Sequence, residues 1–246
     1  MDFLLETTED IERLDDSAVE ERLHYVVEAL GLLRKELGDE KALLGFAGSP
    51  WTLACFMLEG GSSKDYSKAK QLFYSEPEVF NRFCEKLTRA ITRFLRMQIE
   101  AGVDAVQIFD SLGGMLADNV FEAASGRWIK DVITGLEGKV PVIVFAKGVH
   151  DCWDCLAGTG AQILGVDWTM RLSKVHSSLP EGVGVQGNLD PSLLFTNRDV
   201  IAVETSRILE EMRGAKGHIF NLGHGVMPGA KLETIESLVK TVTEFK

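Results

Sequence analysis

Gly45-Phe46-Ala47-Gly48-Ser49-Pro50-Trp51-Thr52 is the stretch whose reading decides the fold. The apolar run 42–47 is long enough for one buried strand. It stops at Gly48-Ser49-Pro50, where glycine frees the backbone and proline ends the ladder. A helical run opens at Trp51, with Ser49 as its cap and Pro50 at its first position. The stretch is therefore a strand whose C-terminal end feeds a helix N-terminus. In α/β folds that edge holds ligands, because its amide donors are unpaired.

The same grammar recurs along the chain. Apolar runs at 105–109, 140–145, 162–166, 182–186 and 218–220 each end in a polar or Gly-rich tip and lead into a helical stretch. The helices are predicted over 66–75, 77–101, 120–136, 152–159, 170–179, 199–212 and 232–245. Before the first strand, residues 1–40 read as solvated helix, with an apolar stripe through 18–37 closed by Gly38-Asp39-Glu40. Repeated β-then-α implies a parallel sheet with right-handed crossovers. Runs without alternation fit strands covered on both faces. Two arrangements compete, a doubly wound open sheet and a (β/α)8 barrel. No G-x-G-x-x-G opens a helix, which weakens the dinucleotide version. The six strands fall short of the eight of a closed barrel.

With 246 residues the chain can bury a large core as one domain, and 45% apolar content is that of a globular protein. No run approaches the roughly 20 apolar residues of a membrane span, and the start lacks a basic leader. These features predict a cytoplasmic protein with no membrane partner. A net charge of −11, from 37 acidic against 26 basic residues, argues against nucleic acid. It also means that an anionic substrate would need a local cationic pocket. The four cysteines make no disulfide scaffold. Cys152-Trp153-Asp154-Cys155 lacks the second ligand pair of a structural zinc site, and reads as two thiols on an early helical turn.

In a barrel the strand tips converge on the face that does the chemistry. The tips carry Phe46, Asp110, Ser111, Phe145, Lys147, Asp167, Trp168, Gln186, Asn188, Asp190, Asn221 and His224. His224, between two glycines, is a candidate catalytic or binding histidine. Asp110-Ser111 is a second candidate, with helix capping as the bland alternative for Asp110. Asp167 and Asp190 read first as helix caps. Lys147 has the chemistry of a Schiff-base lysine, with nothing in the sequence to show that it is desolvated. His24, His150, His176 and His218 read as surface or core residues. Spacing alone stops at a parallel α/β enzyme with a polar, aromatic-walled site.

Five motifs taken together resemble uroporphyrinogen decarboxylase. They are 45–53 (Gly-Phe-Ala-Gly-Ser-Pro-Trp-Thr-Leu), 145–148 (Phe-Ala-Lys-Gly), 165–169 (Gly-Val-Asp-Trp-Thr), 186–191 (Gln-Gly-Asn-Leu-Asp-Pro) and 221–225 (Asn-Leu-Gly-His-Gly). The resemblance covers nearly the whole chain. It implies a TIM-barrel fold, a homodimer, and decarboxylation of the four acetate side chains of uroporphyrinogen III to give coproporphyrinogen III, with no cofactor and no metal. By motif match it implies that His224 and Ser111 contact the substrate and that Phe46 and Phe109 line the site. Phe56 stands where the family carries a substrate-contacting tyrosine, so the ring is kept and the hydroxyl is lost.

The family pattern starts earlier than Met1, with an arginine-rich motif on its first strand and its central aspartate after the second. The resemblance thus predicts an N-terminally truncated single domain over 1–246, with six βα units, open sheet edges and little activity, and leaves the catalytic residue unassigned. Two alternatives remain at this level. One is an inactive tetrapyrrole-binding or dimerising remnant. The other is a zinc- and corrinoid-linked methyltransferase of the same fold, whose His-x-Cys pair would stand where this chain has Phe145-Ala146-Lys147.

Overall fold

The computed structural model describes residues 4–246; the first three residues of the predicted N-terminal helical stretch lie outside the described residues. The chain divides into two compact units, Met1–Ala161 and Gln162–Lys246. Among the described residues there are six strands, each followed by helix, an α/β architecture of the TIM-barrel class with six strands where a closed barrel has eight.

The first unit opens with α1 (Thr8–Glu12), α2 (Val19–Arg22) and α3 (His24–Leu37). The single helix expected over 18–37 is broken at Leu23, whose backbone leaves helical geometry between α2 and α3. Strand β1 (Leu44–Gly48) delivers its end to α4 (Pro50–Glu59), and the Thr52 amide donates to Ser49 Oγ at 3.0 Å, the cap that the sequence predicts. Helices α5 (Ser67–Ser75) and α6 (Pro77–Glu100) lead to β2 (Ala105–Asp110). After a 3-10 turn at Gly113–Met115, the helix expected over 120–136 runs as α7 (Asp118–Phe121), a π-turn at Glu122–Gly126 and α8 (Arg127–Gly135), without a break in helical backbone. Strand β3 (Val142–Ala146) and α9 (Trp153–Ala157) complete the unit. Strands β1, β2 and β3 run parallel, in a register that sets Gly48 beside Phe109 and Phe109 beside Phe145.

Helix α6 holds this unit together on two faces. Phe80, Phe83, Leu87, Ile91 and Leu95 recur at helical spacing and are buried. On its outer face Arg82, Arg89 and Arg93 reach Glu12, Asp16 and Glu20 at 2.8, 2.9 and 2.6 Å, pinning the segment that carries α1 and α2. Hydrogen bonds from Arg82 and Arg93 hold the Glu12 and Glu20 carboxyls below their ordinary values. Carboxyls depressed in this way contribute stability above their unfolded value and lose it as pH falls through the folded one. Amide exchange across 8–22 is therefore expected to quicken first as pH drops below the ordinary glutamate value of 4.5, before the core strands respond. Hydrogen exchange at pH 3 and pH 7 checks this; uniform quickening across both α1 and β2 would end it.

The same helix also covers the outer edge of β1. The buried Gln98 amide accepts from the Phe46 N–H at 2.9 Å and donates to the Phe46 carbonyl at 3.0 Å, as a neighbouring strand would. The expected open edge is thus closed at its midpoint by a side chain, although Leu44 and Phe46 stay 41% and 62% exposed. Gln98→Leu removes both bonds and is expected to lower unfolding stability by about 1–3 kcal/mol, read from urea denaturation.

The second unit contains β4 (Ile163–Gly165), α10 (Leu172–Ser178), β5 (Gly184–Leu189), α11 (Arg198–Glu211), β6 (His218–Leu222) and α12 (Leu232–Glu244). Strands β4, β5 and β6 are parallel. Strand β5 is buried along its whole length and runs to Leu189, so the Gln186-Gly187-Asn188 tip of the sequence reading lies inside the strand. Strand β6 alternates instead, with Ile219 40% exposed; only the inner strands follow the expectation of cover on both faces. Among the described residues no helix is long and apolar enough to cross a membrane.

Candidate functional site

In the first unit the strand ends carry a graded aromatic wall. The Phe46 and Phe109 rings meet edge to face at 5.9 Å, and Phe109 and Phe145 do so at 6.1 Å. Phe46 is open, Phe109 is half-buried and Phe145 is buried, so an apolar surface rises from the core toward solvent. Edge-to-face contacts fix the ring orientations as well as burying area. Ser111 follows Phe109 by two residues, half-buried at the foot of this wall. Lys147 is the cation that directly follows a strand end in this unit. Phe56 is not part of the wall: its contact is with the Tyr66 ring, edge to face at 6.0 Å.

Asp110 departs from both sequence readings. It neither caps the following helix nor faces the open site, but is fully buried at the end of β2. Its Oδ1 accepts from Ser49 Oγ at 2.7 Å and Thr52 Oγ1 at 2.8 Å, and its Oδ2 accepts from Ser125 Oγ at 2.7 Å. Ser49 Oγ also accepts the Thr52 amide and Thr52 Oγ1 the Leu112 amide, so each hydroxyl accepts one bond and donates its proton to Asp110. Burial pushes the carboxyl above its ordinary value, and the three hydroxyls pull against that rise. Asp110 is a structural node that joins β2, α4 and the π-turn. The signal for it was present in the cap itself, since Ser49 and Thr52 place two hydroxyls at one helix start.

In the second unit the loop after β4 and the loop after β6 meet. The Trp168 and His224 rings stand edge to face at 6.2 Å. A Cβ built at Gly223 would run into the Trp168 backbone nitrogen, so glycine is required there for the two loops to approach. Gly225 has open space around it, so only one of the two glycines flanking His224 has a steric role. The Gly225 amide donates to His224 Nδ1 at 2.8 Å, which leaves the neutral ring's proton on Nε2.

Asp167 is no helix cap either. Its Oδ1 accepts from the Thr169 amide and hydroxyl, turning the loop locally. Asn188 Nδ2 donates to the Asp167 and Met170 carbonyls, bracing the same loop from β5. Asp190 does cap, accepting from the Ser192 amide at the start of a 3-10 turn. His218 Nε2 lies 3.2 Å from the Gly187 carbonyl, and burial pushes its pKa down. Among the described residues no group of three His, Cys, Asp or Glu side chains could hold a metal ion. Cys152 and Cys155 are joined in a disulfide across the first turn of α9, correcting the reading as two thiols; Cys55 and Cys84 are free and buried.

The family model for uroporphyrinogen decarboxylase (URO-D) matches residues 2–245. The uroporphyrinogen decarboxylase of Saccharophagus degradans is 41% identical over 246 residues, covering 98% of this chain and 70% of its own length. That of Azotobacter vinelandii is 43% identical over 241 residues, covering 93% of this chain and 68% of its own. Among solved structures, a methyltransferase from Methanosarcina mazei superposes with a TM-score of 0.82 at 19% identity, over 93% of this chain and 67% of that one. A B12-independent methionine synthase from a Shewanella species superposes with a TM-score of 0.60 at 14% identity, over 88% of this chain and 66% of that one. At such identities the likeness is one of fold.

Proposed function

The chain belongs to the uroporphyrinogen decarboxylase family, and from that membership we propose that it converts uroporphyrinogen III to coproporphyrinogen III by removing four acetate carboxyls. The observation that carries the reading is 41% identity sustained over 98% of the chain. The methyltransferase alternative is not favoured, since its structural relative shares only the fold, and Cys152 is committed to a disulfide. The remnant alternative is likewise not favoured by relatives of this identity.

An acetate on an electron-rich pyrrole cannot lose CO₂ directly, because the electron pair left behind has nowhere to go. Protonating the pyrrole ring makes it the electron sink, so the substrate does the work of a cofactor. In this scheme the wall of Phe46, Phe109 and Phe145 packs against the face of the macrocycle. Ser111 reaches its polar groups, and Phe56 presents an apolar ring backed by Tyr66; His224 is carried as a substrate contact by motif match alone. Cations must meet the substrate carboxylates. Among the described residues Lys147 directly follows a strand end, and in this reading it meets a substrate carboxylate. The working unit in this proposal is a cytoplasmic homodimer of one decarboxylase-like domain per chain.

The test is coproporphyrinogen formation from uroporphyrinogen by the purified 246-residue chain and by the same chain extended with upstream coding sequence. Turnover by either carries the reading. Failure of both, with folded protein, ends it. Light scattering decides the dimer.

A further inference from the structure

The strap that leaves β3 carries chemistry that decarboxylation does not use. Residues 147–151 run from the end of β3 to Cys152, whose sulfur is bonded to that of Cys155 over a Cα–Cα distance of 5.2 Å. The two sulfurs are not equivalent. Cys152 is 9% exposed, with its Sγ 3.8 Å from the Asp118 carbonyl. Cys155 is half-buried and lines an open groove of about 460 Å³ together with Arg127, Lys130 and Asp154. The groove also carries Glu122, so its two carboxylates balance its two cations, and an external thiolate meets Cys155 first because Cys155 is the more exposed sulfur.

The strap is also pressed against the turn beyond Ser111. The Gly114 amide donates to the Lys147 carbonyl at 2.9 Å. A Cβ at Gly114 would stand 2.6 Å from that oxygen and 2.7 Å from the Gly148 Cα. Gly113, Leu116, Val149 and Cys152 share the lining of a second cavity of about 100 Å³ between turn and strap. The bond that holds Cys152 thus holds the strap, and the strap holds the turn.

We propose that Cys152–Cys155 is a thiol–disulfide exchange site for a dithiol reductant, and that opening it loosens the 113–116 turn next to Ser111. The reductant's thiolate attacks Cys155 Sγ and forms a mixed disulfide. Cys152 Sγ leaves with the electron pair and takes a proton from solvent. The reductant's second thiolate then attacks its own sulfur in the mixed disulfide and releases Cys155 as a thiolate, which is protonated in turn. The protein disulfide gains two electrons and two protons, and the dithiol ends as a disulfide. The C-x-x-C ring is too small to constrain the unfolded chain as a staple spanning a long loop would, while its spacing is that of pairs that cycle.

Protein purified without reductant, then denatured and alkylated with iodoacetamide, is expected to label at Cys55 and Cys84 alone, and at all four cysteines after dithiothreitol. In the native protein, dithiothreitol is expected to quicken amide exchange roughly tenfold across 111–118 and 147–152 and to leave β2 unchanged. The C152S/C155S variant is expected to exchange like the reduced protein whether or not dithiothreitol is present. Four labelled cysteines without reductant, or equal exchange in the two redox states, overturns the proposal. Neither readout involves turnover, so this inference and the decarboxylase reading fail independently.

Discussion

Asp110→Ala is expected to lower the free energy of unfolding by about 3–5 kcal/mol, because it leaves hydroxyl protons without an acceptor and a void in a closed core. The Ser49 and Thr52 hydroxyls each accept one backbone amide and donate their proton to Asp110, so removing the carboxyl takes away the acceptor of both. Asp110→Asn separates shape from charge. Its carbonyl can keep the two bonds at Oδ1, and its amide can donate to Ser125 Oγ, whose proton is not committed in that way. A loss within about 1 kcal/mol is therefore expected for the asparagine variant. The pH dependence distinguishes the two further. A carboxyl raised by burial favours folding when protonated, so its contribution is lost as pH rises from 3.8 through the folded value. Wild type should weaken relative to Asp110→Asn across that interval, opposite in sign to Glu12 and Glu20. Urea titrations of both variants between pH 4 and pH 8 decide the matter; an alanine variant as stable as wild type removes the node.

Gly223→Ala is expected to cut kcat/KM for uroporphyrinogen by about 100-fold while the protein stays folded, because a displacement near 1 Å at a substrate-contacting group costs that much. The added methyl would enter the space of the Trp168 backbone nitrogen, and the Gly223 amide is already tied to the Leu189 carbonyl at 2.7 Å. The strand end cannot yield, so the loop that carries His224 must move off Trp168. If His224 is the group displaced, the double variant with His224→Ala should be no worse than His224→Ala alone. Additive losses would mean that Gly223 acts through something else, and an unaltered kcat/KM would remove His224 from the site.

The strands were legible where physics leaves one choice. The run 142–146 is apolar throughout and buried throughout, and Ser49-Pro50 announces a helix start by capping and fixed φ. What stayed hidden was decided by tertiary contact. Strand β5 continues through the buried Gln186 and Asn188, the Asn188 amide finding the Asp167 and Met170 carbonyls, whereas polarity in the sequence reads as a tip. The π-turn at 122–126 places Ser125 on Asp110, a demand that comes from across the fold. Cys152 and Cys155 were visible as a pair, but only the turn at α9 brings their sulfurs together. Of the aromatic wall, Phe109 and Phe145 come together because adjacent strand ends present them in register, whereas Phe46 pairs with Gln107 and meets Phe109 diagonally, and the helix phase of Phe56 turns its ring to Tyr66. Gln98 left a trace that went unread: three residues after Leu95, it continues the buried stripe of α6 with an amide.

That helix has a further consequence for how the sequence can drift. From Phe80 to Gln98, α6 places apolar side chains inward, arginines on the segment that carries α1 and α2, and one amide on a strand edge, all at fixed angles around a single axis. Inserting one residue between Leu87 and Ile91 would rotate everything beyond it by about 100°. Leu95 would leave the core, Arg93 would lose Glu20, and Gln98 would lose Phe46 together. Point substitutions at those positions cost one contact each, but a change in length costs all three, so α6 is free to change its letters and not its count.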